Sequence, residues 1–261
     1  MNLFISSDIE GTCGIAAWSE TEPGRPDGDY AYFKQQMSRE VAAACRGALA
    51  AGGERILVKD AHDSARNIDP SVLPEEVQIN RGWAGDVYSM MSGIQHGDWD
   101  AAVFTGYHAA ACCDGNPLSH TMNTSVDYVE INGVRASEFT LNAYMAGYHG
   151  DAALCDSARR MIPDIATVPV NKGDGNSATS LHPALAVKRI EETLRAQLES
   201  GAYRTCIVPM PPKFEIIIRY KEHRAAYRCS FYPGVEQVDE KTLRFTCVDY
   251  MDAMCLFQFV L

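Results

Sequence analysis

Four short apolar runs in this chain each lead to an acid or a histidine, and that recurrence restricts the folds open to it. Leu3-Phe4-Ile5-Ser6-Ser7 runs into Asp8-Ile9-Glu10-Gly11-Thr12-Cys13-Gly14. Arg55-Ile56-Leu57-Val58-Lys59 ends in Asp60-Ala61-His62-Asp63, and Ala101-Ala102-Val103-Phe104-Thr105 ends in Gly106-Tyr107-His108. The run from Val126 to Ile131 passes through Asn132-Gly133 to Glu138. In an open α/β sheet, ligands bind beyond the carboxyl ends of the strands. Asp8 and Glu10 stand two apart, so extended backbone points both to one side, about 6.6 Å apart along the strand. Two acids that close repel unless positive charge lies between them.

Tyr30 to Ala51 carries Phe33, Met37, Val41, Ala44 and Leu49 at helical spacing, and Gly52-Gly53 stop it. Residues 1–60 therefore read as a strand–loop–helix–strand unit, which implies parallel strands and a right-handed crossover. The spacing predicts a helix over Val87–Ile94 and a hairpin turning at Asn132-Gly133. It predicts a further helix over Phe139–Tyr148, a loop from Gly173 to Ser180 and an amphipathic helix over Pro183–Glu199. Strand Phe214–Tyr220, helix Glu222–Cys229, strands near Val235–Val238 and Leu243–Val248, and a helix from Tyr250 follow. The expected class is α/β: a three-layer, doubly wound, mostly parallel sheet over residues 1–172 that holds the metal and the chemistry. A smaller α+β domain is expected over 173–261.

The chain has 261 residues with 34 acids against 23 Lys plus Arg, a net charge of −11. No basic face for a nucleic acid is visible, and an acidic protein suits a substrate with a free ammonium group better than a polyphosphate. No run is long enough for a membrane helix, and the start lacks the basic and apolar regions of a signal peptide. Nine scattered cysteines with no C-x-x-C pair read as reduced thiols of a cytoplasmic protein.

Taken singly, each candidate has an ordinary structural reading: a polar strand end, a capping residue, a core imidazole, an acid offsetting a helix dipole. Jointly, Asp8, Glu10, His62, His108 and Glu138 offer the carboxylate oxygens and imidazole nitrogens that zinc takes. Five ligands exceed one tetrahedral site, so a pair of metals bridged by a carboxylate is expected, with Asp8 as the bridge. Cys13 reads as a small buried residue rather than a thiolate ligand. Asp60 and Asp63 are candidates to orient His62 from behind. His120 differs, because it sits on a long loop and not at a strand end. It is the candidate proton carrier, hence the catalytic residue.

The motifs Ser6-Ser7-Asp8-Ile9-Glu10-Gly11, Lys59-Asp60-Ala61-His62-Asp63-Ser64, Gly106-Tyr107-His108-Ala109, Ser119-His120-Thr121-Met122, and Glu138 with Leu141-Asn142-Ala143-Tyr144 together resemble the zinc D-aminopeptidases of the bacterial dipeptide-transport type. The resemblance spans residues 6–148 and is looser in the C-terminal third. It implies two zinc ions held by Asp8, Glu10, His62, His108 and Glu138, catalysis by His120, and a ring-shaped homodecamer. The implied substrate is a short peptide with an N-terminal D-amino acid, such as D-Ala-D-Ala. It also implies an apolar strand after the Ala-Gly-Tyr helix, where here Gly150 runs directly into Asp151. A two-metal phosphoesterase and a non-catalytic metal-dependent assembly protein use similar ligands. The former would want an Arg/Lys cluster or a glycine-rich phosphate loop, and the latter has no need of His120.

Overall fold

The computed structural model describes residues 1–26, 28–144, 158–208 and 210–261. Its organising strand is Asn2–Ser7 (β1), paired in parallel with Arg55–Asp60 (β2) on one side and Ala101–Thr105 (β4) on the other. Val77–Asn80 (β3) adds outside β2, giving the order β3-β2-β1-β4. Chain order thus reverses across β1, which makes the β1/β4 boundary a topological switch point. Both faces of β1 are buried, as the near-continuous apolar runs require of a parallel sheet. Leu3 and Ile5 pack with Phe33, Met37, Val41 and Ala48 of helix Tyr30–Ala50 (α1), behind which lies Pro183–Ser200 (α3). Phe4 faces the other way, into a cluster with Met90, Met91, Phe104 and Phe139.

A second, antiparallel sheet has the order β10-β11-β9-β5-β6. Its strands are Val126–Ile131 (β5), Val134–Arg135 (β6), Phe214–Tyr220 (β9), Glu236–Gln237 (β10) and Thr242–Cys247 (β11). It therefore takes strands from both sides of position 172. The β5–β6 hairpin turns at Asn132 (φ 51°) and Gly133 (φ 78°), the left-handed pair that a two-residue hairpin demands. Val129, Ile131, Ile216, Ile218 and Leu243 pack against Tyr250, Met254 and Phe257 of helix Tyr250–Val260 (α5). The short helices Glu138–Ala143 (α2) and His223–Cys229 (α4) flank this sheet, and Tyr250 donates through its hydroxyl to the Leu141 carbonyl.

The α/β class with a parallel first sheet is the one the sequence leads us to expect. Two local expectations fail. Val87–Ile94 forms no α-helix: the described turns are 3-10, at Ser89–Met91 and Ile94–His96, separated by Gly93 in the left-handed region (φ 107°). Gly173–Ser180 is not a loop but a hairpin of Asn171–Asp174 (β7) and Ser177–Ser180 (β8), turning at Gly175 (φ 59°). The turn residues are those expected, yet the strands around them are too polar to show an apolar alternation. The Gly150–Asp151 junction lies outside the described residues.

The segments leaving β1 and β4 are locked together. Asp8 N–H donates to the Thr105 carbonyl at 2.9 Å and Gly11 N–H to the Gly106 carbonyl at 2.7 Å. A Cβ on Gly11 would fall 2.0 Å from the Tyr107 carbonyl oxygen, and one on Gly106 (φ 68°) would fall 2.0 Å from that of Asp8. Only two glycines let these backbones touch. Gly106→Ala should therefore lower unfolding stability by about 2–4 kcal/mol. Urea denaturation should read this as a shift in midpoint, and a change below about 0.5 kcal/mol would contradict the close approach.

Candidate metal centre

Six side chains from five separate segments converge beyond the switch point. Asp8 and Glu10 leave β1, His62 follows β2, and His108 follows β4. His120 lies on the loop between β4 and β5, and Glu138 opens α2, whose N-terminus is capped by the Ser137 hydroxyl. The cluster is deeply buried: Asp8 is 2% exposed, Glu10 1%, His62 7%, His108 0% and Glu138 3%. The glycine lock sets Asp8, Glu10 and His108 side by side. Asn116 fastens the same turn by donating to the Glu10 carbonyl at 3.1 Å.

Each imidazole is oriented by a main-chain carbonyl. His62 Nε2–H donates to Thr21 O at 2.9 Å, His108 Nδ1–H to Ala109 O at 3.0 Å and His120 Nδ1–H to Leu118 O at 2.8 Å. The other ring nitrogen is thereby aimed at the carboxylates and is the one a metal would take once any proton on it is displaced, the usual orientation behind a ligating histidine. His62 Nδ1 lies 3.3 Å from both Asp8 Oδ1 and Glu10 Oε1. His108 Nε2 lies 3.6 Å from Asp8 Oδ2 and 3.3 Å from Glu138 Oε2. His120 Nε2 lies 3.4 Å from Glu138 Oε1, which also accepts the Met122 N–H at 2.6 Å. The two oxygens of Asp8 thus face two different histidines.

These separations are long for a hydrogen bond. They match the spacing of about 3.3–3.4 Å between ligand atoms set tetrahedrally at about 2.0–2.1 Å around one zinc ion. Three buried atoms (Asp8 Oδ2, Glu10 Oε2 and His108 Nε2) have no hydrogen-bond partner. Buried polar atoms are paired as a rule, and a divalent cation would serve all three. Three overlapping sets meet the distance requirement: Asp8/Glu10/His62, Asp8/His108/Glu138 and Glu10/His108/His120. The donor set therefore fits a divalent metal.

Electrostatics carry the same demand. Burial, with Glu10 alongside, pushes the Asp8 carboxyl well above the usual range. Burial acts the same way on Glu10, but His62, His108 and His120 outweigh it and hold that carboxyl well below. Glu138 is drawn down to about 2 as His108 and His120 overcome its burial. Burial disfavours charge on His62 and His108, yet the surrounding carboxylates raise both, His108 to about 10. His120 moves the opposite way, lowered by burial and by the neighbouring His108. Its ring stacks on His108 at 4.2 Å and meets the edge of Trp18 at 5.0 Å.

The structure thus brings together all six residues singled out from the sequence. Cys13 faces away, donating to the Leu181 carbonyl, and burial pushes its thiol up to about 12. Asp60 does not touch the His62 ring. It accepts from Asn67 and from the Ile68 N–H, and Asn67 in turn holds the His62 carbonyl. The carbonyls of Thr21, Ala109 and Leu118 and the Met122 N–H are main-chain groups, which no residue type announces. Trp18 and Trp83 also escape a reading confined to ligand chemistry. They line the cavity of about 450 Å³ that opens onto the cluster.

An α/β sheet with a carboxylate–imidazole cluster at its switch point defines a protein built to hold divalent metal. A family model described as D-aminopeptidase (Peptidase_M55) matches residues 1–259, and the chain belongs to that family of peptidases. It is 28% identical over 265 residues to the D-aminopeptidase of Bacillus subtilis (strain 168), covering 97% of this chain and 94% of that protein. Among solved structures it is similar to the Zn-dependent D-aminopeptidase DppA from Bacillus subtilis, described as a self-compartmentalizing protease. That match has a TM-score of 0.88 and 25% identity, over 98% of this chain and 95% of that one.

The surrounding carboxylates raise His62 well above its ordinary range and His108 to about 10, which favours the protonated form of both rings in the metal-free protein. A cation must displace those protons, so metal affinity should rise with pH between about 6 and 9. Calorimetric zinc titrations at pH 7 in buffers of different ionisation enthalpy should register net proton release. Binding without proton release would contradict the assigned protonation.

Proposed function

We propose that the chain is a di-zinc aminopeptidase that hydrolyses the N-terminal amide bond of short peptides, with an N-terminal D-amino acid as in D-Ala-D-Ala. The observation that carries this reading is the buried cluster of imidazole nitrogens and unpaired carboxylate oxygens at metal-ligand spacing. Asp8, Glu10, His62, His108 and Glu138 would hold the two ions. Asp8 would be the residue shared between the two sites, in keeping with its two oxygens facing different histidines. Family membership supports the amide-bond chemistry, and the relative's zinc dependence supports the metal. A phosphoesterase is disfavoured, because among the described residues no Lys or Arg lines the cavity to receive a phosphate.

Bound zinc supplies Lewis acidity, which polarises a carbonyl and acidifies water. His120 moves the proton. Its Nδ1–H is tied to Leu118, and its Nε2 is a neutral acceptor within reach of the cavity. It accepts a proton at Nε2 as the carbonyl is attacked and delivers it to the departing amine. The walls of the cavity hold the peptide while Trp18 packs against the His120 ring. The Glu10/His108/His120 set supports a second reading, in which His120 is itself a ligand.

Elemental analysis of protein purified without chelator should find two zinc ions per chain, and a value near zero after reconstitution would remove the metal reading. Asp8→Ala should lose both ions. His120→Ala should keep its zinc and lose at least ~10²-fold in kcat on D-Ala-D-Ala. Loss of zinc in His120→Ala would make His120 a ligand, and near-normal turnover would remove it from the chemistry.

We also propose that the chain closes into a homo-oligomer, a decamer on the sequence resemblance. The self-compartmentalizing description of DppA supports assembly. So do the exposed aromatic side chains around α4 and α5, with Phe231 and Phe259 each 71% exposed. Light scattering at micromolar concentration should give a species well above monomer mass. The double variant Phe231→Asp, Phe259→Asp should shrink it, and a monomeric wild-type chain would overturn the proposal. Among the described residues no helix is long and apolar enough to cross a membrane.

A further inference from the structure

Lys59 stands in β2 with its side chain fully buried, 0% exposed. A buried ammonium persists only where polar groups receive it. Here those groups belong to one short stretch. They are the Asn80 side-chain oxygen at 3.3 Å, the Gly82 carbonyl and the face of the Trp83 indole, 4.6 Å from the ring centroid. Burial pulls Lys59 below the usual lysine range, and Asp60 and Asp86 oppose that. Lys59 takes no part in the chemistry above, so its burial has to be explained by what it holds.

What it holds is a wall of the cavity. Trp83, Ala84, Gly85 and Asp86 line the space over the metal cluster. The stretch passes through the left-handed region at Gly82 (φ 82°) and Gly85 (φ 77°), where an added Cβ would meet nothing within 4 Å. Its own backbone therefore does little to fix where Trp83 goes. Contacts from outside do so. Besides Lys59, Gly82 N–H donates to the Ala65 carbonyl at 2.8 Å, and Trp83 Nε1–H donates to the Asp63 carbonyl at 2.6 Å. Asp63 (φ 43°) and Ala65 (φ 53°) are themselves left-handed, a conformation that non-glycine residues hold only when their surroundings over-determine it. The loop after His62 and the Trp83 stretch thus fix one another, with Lys59 as the pin.

The two indoles of the cavity belong to different ends of the cluster. Asp8 turns one oxygen to His62 and the other to His108, on which His120 stacks. The Trp18 ring meets His120, whereas the Trp83 indole is tied to the residue after His62 and keeps 44% of its surface exposed. In the reading above, the His120 end serves the departing amine. The His62 end is then left for the residue whose carbonyl is attacked. Resting on that aminopeptidase reading, we propose that Trp83 is the wall against which the side chain of the substrate's first residue lies, admitting small side chains and excluding bulky ones, and that Lys59 is the positioning residue that sets the indole there.

The test compares D-Ala-D-Ala, D-Phe-D-Ala and D-Ala-D-Phe on the zinc-loaded enzyme. Trp83→Ala should raise kcat/KM for D-Phe-D-Ala relative to D-Ala-D-Ala by at least ~10-fold, chiefly through KM. The ratio of D-Ala-D-Phe to D-Ala-D-Ala should stay within about twofold of wild type. Lys59→Met should move the first ratio in the same direction, and combined with Trp83→Ala it should move it no further than Trp83→Ala alone. Lys59→Gln, which keeps an N–H for the same stretch, should move it less, and stands in where Lys59→Met does not fold. An unchanged first ratio in Trp83→Ala, or a change confined to D-Ala-D-Phe, overturns the wall while leaving the aminopeptidase reading intact. Lysine variants that lower all three substrates in proportion overturn the role of Lys59, since a merely structural residue would act that way. If the wild-type enzyme cleaves no D-aminoacyl compound, the activity reading fails instead. The wall is then read from calorimetric binding of the same dipeptides to wild type and Trp83→Ala, where an unchanged ratio of affinities, or no binding, overturns it.

Discussion

Asp8 and Glu10 are two buried carboxyl groups on one side of one short segment, and nothing about that arrangement is stable without positive charge close by. Burial pushes both carboxyls up, but the neighbouring histidines bring Glu10 well below the usual range while Asp8, with Glu10 alongside, stays well above it. The histidines answer part of the demand and pay for it in their own elevated values. A cation held among them lets every group take its preferred state at once. The cluster therefore exists because the fold forces these groups together, not because they attract one another into place.

The force comes from the parallel sheet. β1 lies between β2 and β4, so its carboxyl end is flanked by two other strand ends, and the reversal of chain order leaves a crevice there. Gly11 and Gly106 remove the last steric obstacle between the neighbouring segments. The antiparallel sheet supports the opposite wall by fixing α2, and with it Glu138, through Tyr250 and the Leu141 carbonyl. Stability and chemistry thus share residues. The lock that brings Asp8 within reach of His108 is the same backbone contact that closes the top of the sheet.

Much of this was legible in the residues. Strand ends loaded with acids and histidines located the site, since an apolar run followed by a polar ligand type is a local pattern. Helices Tyr30–Ala50 and Pro183–Ser200 were readable from their buried stripes. What escaped was set by tertiary contact. The carbonyls of Thr21, Ala109 and Leu118 orient three imidazoles, yet any residue could supply them. Ser89–His96 has helical composition but breaks at Gly93. The β7–β8 hairpin is polar because only part of it is covered. Asp60 was placed behind His62 on proximity alone, and it acts one step further off, through Asn67.

The groups of the candidate centre are drawn from positions as far apart as Asp8 and Glu138, and its three histidines come from three separate segments. A site of this kind has no local precursor. No fragment that stops before α2 contains it, and a chain emerging from synthesis cannot present it until β1, β2 and β4 have paired. Metal capture is consequently a late event in folding. The ion acts as a latch on an assembled sheet, not as a nucleus around which the sheet forms.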